Sequence, residues 1–567
     1  LVEEVRFSTG GFSVQYGDKL SSVLGLTLGS GRKDRLGGKA LVSATQYGFN
    51  LEGPFCSRGD FIFSARRSYL DLIFKAAGLP FVPVYTDFNL AATYKLSPHD
   101  QLFLMGLGAI DRVDRDQSSA EKRVKNAGIM DNTQNQWITG VNYRRIFQHG
   151  YLDLAAGANL NQYRFSQVDS AQIEYFKTRA DEYEYTSKLQ GYTRLTRKLD
   201  LLTGVSFRSI SLDNETRFAD TIYNSSGQRV SPADLGLERA LISERGTYKM
   251  GGFAETEYHP WAPVRLKTGV RWDYYAFIHH KNYGSPRALI TVQMNNRWTV
   301  RGGSGLYHQA PSYVWTANPF NRDLKALRSL MTIVGSDYLL RADLRISAEF
   351  YHKRYRDLPA GIQPGVTDYL VISNTGTGFG GREDDFQSFG YLPLQSVGKG
   401  SAYGFELVAQ KKYSETPYYG QAALSWNRSR YRAYNGRDYP GQYDQRVIFN
   451  LSGGYRLNAA WEFSGKFRLF TGIPYTPVYV PSEATGWKIQ RLPEEYLSRR
   501  LKTGHQLDLR ADHYINYKSW KLTLFVDIQN IYNVKVPTRP RYDFWEQTTD
   551  EADNIGFLPS IGISAEF

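Results

Sequence analysis

Gly376-Thr377-Gly378-Phe379-Gly380-Gly381 satisfies the G-x-G-x-x-G spacing of a dinucleotide loop. That chemistry needs the glycines between a strand and a helix, where the helix N-terminus meets the pyrophosphate. Here they fall inside the longest loop-like stretch, so no cofactor is expected. Glu383-Asp384-Asp385 and Asp550-Glu551-Ala552-Asp553 could set several hard oxygen ligands around Ca²⁺. Neither builds a Gly-centred calcium loop, and acidic loop tips are usually just solvated. The expectation is no resident metal, with a loop-bound Ca²⁺ as the alternative. His279 and His280 would point to opposite faces of a strand, a poor chelate for metal or haem iron, and His308 stands apart from them. With one Cys in the chain, internal disulfides and Cys-based zinc sites drop out. No G-x-S-x-G elbow occurs, and no catalytic residues are expected.

Binding chemistry has better candidates. Tyr313, Trp315, Phe320 and Arg322 form one group of loop aromatics with a nearby cation; Tyr475, Tyr479, Trp487 and Lys488 form another. Such groups suit a flat or anionic ligand through stacking and charge. Tyr313, Trp315, Arg322, Tyr475, Trp487 and Lys488 are the residues expected to make first contact, because exposed Trp and Tyr give large contact area at low entropy cost. The commoner use of such rings is self-packing of long loops and an aromatic girdle. The 69 Lys and Arg against 56 Asp and Glu give a net +13, which favours an anionic ligand or one carrying a chelated metal. Lipopolysaccharide phosphates account for the same charge. The cations are scattered, with no Lys/Arg block, so nucleic acid is not an expected partner.

Loops hold their side chains where the elements they join put them, and here those elements are strands. Leu152, Leu154, Ala156, Ala158 and Leu160 alternate with Asp153, Gly157 and Asn159. The same period of two recurs over Leu344–Phe350, Leu507–Ala511 and Leu522–Ile528. No stretch approaches the length of an apolar transmembrane helix. The strands read as about 10 to 16 residues long, well past the usual soluble strand, and long tilted strands suit a bilayer crossing. Tight connections at 97–100, 148–150, 259–263, 295–297, 456–460 and 517–520 alternate with long polar stretches. The latter lie near 114–132, 167–181, 214–242, 307–328, 358–398, 474–500 and 533–552. Short turns at one end and long loops at the other are the pattern of an outer-membrane barrel. The punctuation predicts an all-β transmembrane antiparallel barrel of about 22 strands, a size whose lumen is plugged. Lys39–Gly53 must supply two short strands, and Ile561–Phe567 an alternating last strand with an aromatic end.

Within that frame, Leu1–Gly38, LVEEVRFSTGGFSVQYGDKLSSVLGLTLGSGRKDRLGG, resembles the last part of the plug domain of TonB-dependent outer-membrane receptors. Phe63–Lys75 (FSARRSYLDLIFK) resembles the subgroup that usually carries a carboxypeptidase-regulatory-like domain ahead of the plug. Leu51–Pro54, Tyr351–Leu358 (YHKRYRDL), Phe470–Pro477 (FTGIPYTP) and His505–Asn533 extend the likeness over essentially the whole chain. The resemblance implies residues 1–35 as a C-terminal plug remnant and 36–567 as the barrel, in the outer membrane of a Gram-negative cell. It implies a receptor for energised uptake of a scarce or bulky nutrient, driven by a TonB-type periplasmic coupling protein and set among outer-membrane lipids and lipopolysaccharide. The alternative is a structural or assembly barrel with an inert plug, holding a surface lipoprotein or other envelope partner. Leu1–Arg6 has no basic stretch followed by an apolar one, and Leu1 is not Met; a processed or partial product is expected, with the coupling box and most of the plug either ahead of Leu1 or lacking from this protein. Val14-Gln15 stands where the family more often has Ala-Glu. Gly10, Gly11 and Gly17 read as turning points in a confined lumen.

Overall fold

The computed structural model describes residues 2–70, 74, 81–373, 381–550, 554 and 556–567. Gly376–Gly380, Glu551–Asp553 and part of the Phe63–Lys75 stretch therefore lie outside the described residues. Among the described residues twenty-two strands of seven residues or more close into one antiparallel barrel, with the three-residue Asp438–Pro440 paired onto Tyr418–Arg432. The two short strands expected at 39–53 are Gly37–Ser43 and Gln46–Cys56. Gly37–Ser43 also pairs with the last strand, Leu558–Glu566, from Lys39↔Glu566 to Ser43↔Gly562, and this ladder closes the wall. Closure is obligatory in hydrocarbon, where an open edge would leave backbone N–H and C=O groups without partners.

Residues directly opposed in a ladder share a face, so register assigns each side chain to lipid or lumen. Leu154 opposes Leu189 and Leu189 opposes Val205; all three are exposed, Leu154 by 53%. Leu524 opposes Ile563 and is 39% exposed. Residues of the other parity, among them Lys249, Glu255, Arg271 and Arg287, are buried inside. A greasy outside around a polar inside is the inverse of a soluble barrel. Exposed Trp261, Trp298, Trp461 and Trp520 stand beside the tight turns. Toward the loop end, Phe207, Tyr248 and Tyr274 stack on the outer face with centroids 5.9 and 5.8 Å apart. These are the two ring girdles that mark a membrane's interfaces.

The long connections leave from one end, among the described residues at 310–326, 362–373 and 381–393, 471–503, and 530–550, and the turns, such as 197–198 and 262–263, from the other. One expected loop is wrong. Across 167–181 the strands Gly150–Val168 and Glu174–Thr196 stay paired as far as Val168↔Glu174, leaving only 169–173 between them. Glu174–Thr196 is 23 residues long, beyond the expected range. Its upper part stands clear of lipid, where ion pairs such as Arg164–Asp181 (2.7 Å) and Arg217–Glu215 (2.7 Å) replace apolar alternation. A short helix, Ala120–Asn126, sits in the 116–130 loop, with the Ser119 hydroxyl accepting from the Lys122 amide.

Candidate functional site

Thr9–Ser21 runs inside the barrel along inward side chains of consecutive strands, from Leu199–Phe218 to Leu344–Gly361. Arg287 donates to the carbonyls of Phe12 (3.2 Å), Ser13 (2.6 Å) and Tyr16 (3.0 Å). Its guanidinium lies 4.9 Å from the Phe12 ring centre and 4.2 Å from that of Tyr307. Glu255 accepts from the Val14 amide (3.0 Å) and the Ser13 hydroxyl (3.0 Å). Arg271, held by Asp273 at 2.8 Å, donates to the Val14 carbonyl (3.3 Å). Lys353 donates to the carbonyl and hydroxyl of Ser21 (3.1 and 3.0 Å). The wall thus reads backbone more than side chains, which explains its crowd of buried charges. The turning glycines fit this. Gly11 has φ +63°, and a Cβ on Gly17 would fall 1.9 Å from the Arg271 Nε.

Asp18 joins this segment to the wall and to a loop. It lies 2.8 Å from the Lys249 Nζ and 3.8 Å from Arg208, and it accepts from the Ala310 amide (2.8 Å). Burial alone would raise its pKa, but Lys249 and Arg208 outweigh burial and hold the carboxyl well below the usual range.

Above it, loops 310–326 and 381–393 fold across the mouth as a roof. Trp315, Leu324, Phe386, Phe389, Tyr391 and Leu392 share one apolar cluster with Phe165, Phe176 and Phe218 from the strand tops. Two buried asparagines clamp the loops together. Asn318 donates to the Tyr391 carbonyl (2.8 Å), while Asn321 donates to those of Trp315 (2.8 Å) and Leu392 (3.0 Å). Sequence reading missed both. Their signal was weak, an Asn before Pro319 and another two residues on.

The expected contact residues split. Tyr313 is half-buried; its hydroxyl donates to Glu184 (2.9 Å), its ring lies 4.5 Å from the Lys249 Nζ, and burial, then Glu184, pushes its pKa well above the ordinary value. Trp315 is only 3% exposed, so the exposure assumed for it is wrong: the 381–393 loop covers it. Arg322 is exposed and its carbonyl accepts from the His279 amide (3.1 Å). Tyr475 pairs with Arg499 in a two-residue ladder. Trp487 is 62% exposed, and beside it Lys488 is exposed and within electrostatic reach of Asp385. No hydrogen bond or ring contact joins Tyr313 and Trp315 to Tyr475 and Trp487 among the described residues. His279 bonds Asp323 through Nδ1. Glu383, Asp384 and Asp385 turn to Arg541, Ser388 and Ser225. Burial pushes Asp384 up to about 7; bonds from Ser388 oppose this, and Asp385 and Glu383 add to it. Among the described residues no group of three or more His, Cys, Asp or Glu could hold a metal ion.

A family model described as TonB dependent receptor-like, beta-barrel, matches residues 84–531. The chain belongs to that family. Solved structures of the same fold include the siderophore receptor PirA from Acinetobacter baumannii, at TM-score 0.69 and 12% identity, covering 100% of this chain and 85% of that one. A mutant of the ferric enterobactin receptor PfeA from Pseudomonas aeruginosa aligns at TM-score 0.71 and 14% identity, covering 100% and 85%. The FrpB iron transporter from Neisseria meningitidis aligns at 0.69 and 13%, covering 100% and 88%. No curated protein matches the chain by sequence. TonB-dependent receptors are transporters rather than enzymes, and this chain is a β-barrel of the Gram-negative outer membrane. The family implies a TonB-type energy-coupling partner.

Proposed function

We propose that this receptor imports a scarce or bulky nutrient in an energised step, with residues 1–35 as the C-terminal part of a plug domain and 36–567 as the barrel. One observation carries the reading: Asp18 of the lumenal segment is bonded at once to the wall, through Lys249, and to the roof, through the Ala310 amide. A ligand that shifts the roof therefore acts on the segment, and a pull on the segment acts on the roof. The exposed Trp487, Lys488 and Arg322 are the better first contacts, while Tyr313 and Trp315 act from within the roof. The ligands in the neighbours' names are siderophores and iron. A metal chelate is the first class to try, followed by glycans and peptides.

Uptake of labelled candidates into cells, with and without the coupling protein, tests this. We expect one class to enter only when the coupling protein is present, and Trp487→Ala to weaken its binding. Uptake of none, together with an intact surface complex in pull-downs, would support the scaffold reading instead.

A further inference from the structure

Beneath the roof, one inward row of the wall crosses four strands. Glu182 opposes Asn161 on one side and Leu212 on the other, and Leu212 opposes Arg245. The row faces the lumen by parity: Thr178 and Glu184 flank Glu182 on the same face and bond Tyr391 and Tyr313 of the roof, and Lys249, on the face of Arg245, reaches Asp18. Glu182 and Arg245 are both half-buried. Glu182 forms no hydrogen bond or ion pair among the described residues. Lys249 is within its electrostatic reach but is already bonded to Asp18. Glu184 is likewise committed, to the Tyr313 hydroxyl and to Arg208 at 3.5 Å. Arg245 donates to the Thr316 hydroxyl (2.8 Å) and forms no ion pair among the described residues; its charged neighbour is another cation, Arg322.

Neither charge answers the other, because Leu212 stands between them and sets their Cα atoms two strand spacings, about 10 Å, apart. The polar atoms at each end are sorted by sign. On the acid's side the Oδ1 atoms of Asn161, 9% exposed, and of Asn159 are buried acceptors without a donor, and the rings of Tyr163 and Tyr391 lie within electrostatic reach of Glu182. At the other end the Arg245 Nε is a buried donor without an acceptor. Water would serve the amides, but two half-buried charges held apart keep their desolvation cost with nothing to offset it. We propose that this row receives the ligand after its first contact outside and selects a zwitterion, a short peptide with free ends, its ammonium on Glu182 and Asn161 and its carboxylate on Arg245. An ammonium brings three donors to an end rich in acceptors, and the guanidinium fork fits a carboxylate. Leu212 gives the chain between them an apolar rung, and an extended dipeptide or tripeptide spans about 7 to 10 Å. The inference rests on the receptor reading above and narrows its ligand class.

The test titrates the full chain in detergent, without any coupling protein, with trialanine that has free ends, an acetylated N-terminus or an amidated C-terminus, and reads binding by saturation-transfer NMR. We expect either block to weaken binding about tenfold. Glu182→Gln should make the chain indifferent to acetylation while it still discriminates against the amide, and Arg245→Gln should do the reverse. A purely structural role for these residues would not sort the two blocks in this way. No binding of trialanine, or equal binding of its free and blocked forms by the unmodified chain, would overturn the proposal whether or not any variant folds. So would variants that lose discrimination against both blocks alike. Binding is read here without energy coupling, so this failure stands apart from that of the receptor reading, which falls if uptake proceeds equally well without the coupling protein.

Discussion

Asp18 sits where segment, wall and roof meet, and Lys249 opposite it is buried. Removing one partner of a buried pair leaves the other charge uncompensated, at a cost of about 3 kcal/mol. Asp18→Asn should therefore loosen Thr9–Ser21. In a Cys56→Ser background, maleimide should label Leu20→Cys, at a position buried in the intact protein, at least about tenfold faster once Asp18 is neutralised; an unchanged rate means the pair does not hold the segment. Asp384 behaves in the opposite sense. Its carboxyl is raised from 3.8 to about 7, so the folded roof holds a proton that the unfolded loop has lost. The stability this contributes is full below about pH 4 and is lost as pH rises through about 7. Corrected for intrinsic rates, amide exchange across 381–393 should be faster at pH 8 than at pH 5, and Asp384→Asn should shrink the difference, the rest coming from Glu383 and Asp385, which burial also raises. At this scale the sequence was partly legible. Gly11 and Gly17 were readable as turning points because glycine supplies positive φ without steric cost, as at Gly11, and tolerates close approach, as at Gly17. Trp315 was not, because its burial depends on a distant loop arriving over it, and a Trp in a polar stretch carries no local mark of that.

The strand faces are where the sequence was most informative. Leu522, Leu524 and Val526 alternate with Lys521, Thr523 and Asp527, and the ladder with Leu558–Glu566 puts the leucine face outside. An arginine at position 524 should cost about 2–4 kcal/mol if the site lies near the bilayer midplane, read as lowered stability in urea-driven unfolding from vesicles. A cost near zero would move Leu524 out of the hydrocarbon. The paired turns and the two short first strands were equally readable, since hairpins leave polar punctuation at fixed intervals. The 167–181 stretch was misread for a physical reason. Alternation reports a strand with lipid on one side, and strands that rise above the lipid keep their backbone ladder while losing that reason to alternate. The roof was illegible for a related cause: Asn318 and Asn321 satisfy carbonyls that only the assembled loops bring near.

For the molecule as a whole, the wall's ladders are very unequal. Glu174–Thr196 and Leu199–Phe218 are matched from Phe176↔Phe218 to Thr196↔Leu199, whereas the first and last barrel strands meet from Lys39↔Glu566 to Ser43↔Gly562, with backbone bonds from Gly38 to Phe567 and from Ala44 to Ile561 at the two ends. This seam joins the two ends of the barrel sequence, so its formation waits for everything between. Bringing such distant segments together carries the largest loop-closure cost in the wall and rewards it with far fewer backbone bonds than the tall ladder. The kinetic consequence is that neighbouring hairpins zip early and the ring shuts last, as a distinct slow phase. In the finished protein the same inequality makes the seam the first place to breathe. Amides of Ala40 and Val42 should exchange ahead of those of Leu189 and Val205, and a seam that exchanges as slowly as the tall ladder would show that the ring opens as one unit instead.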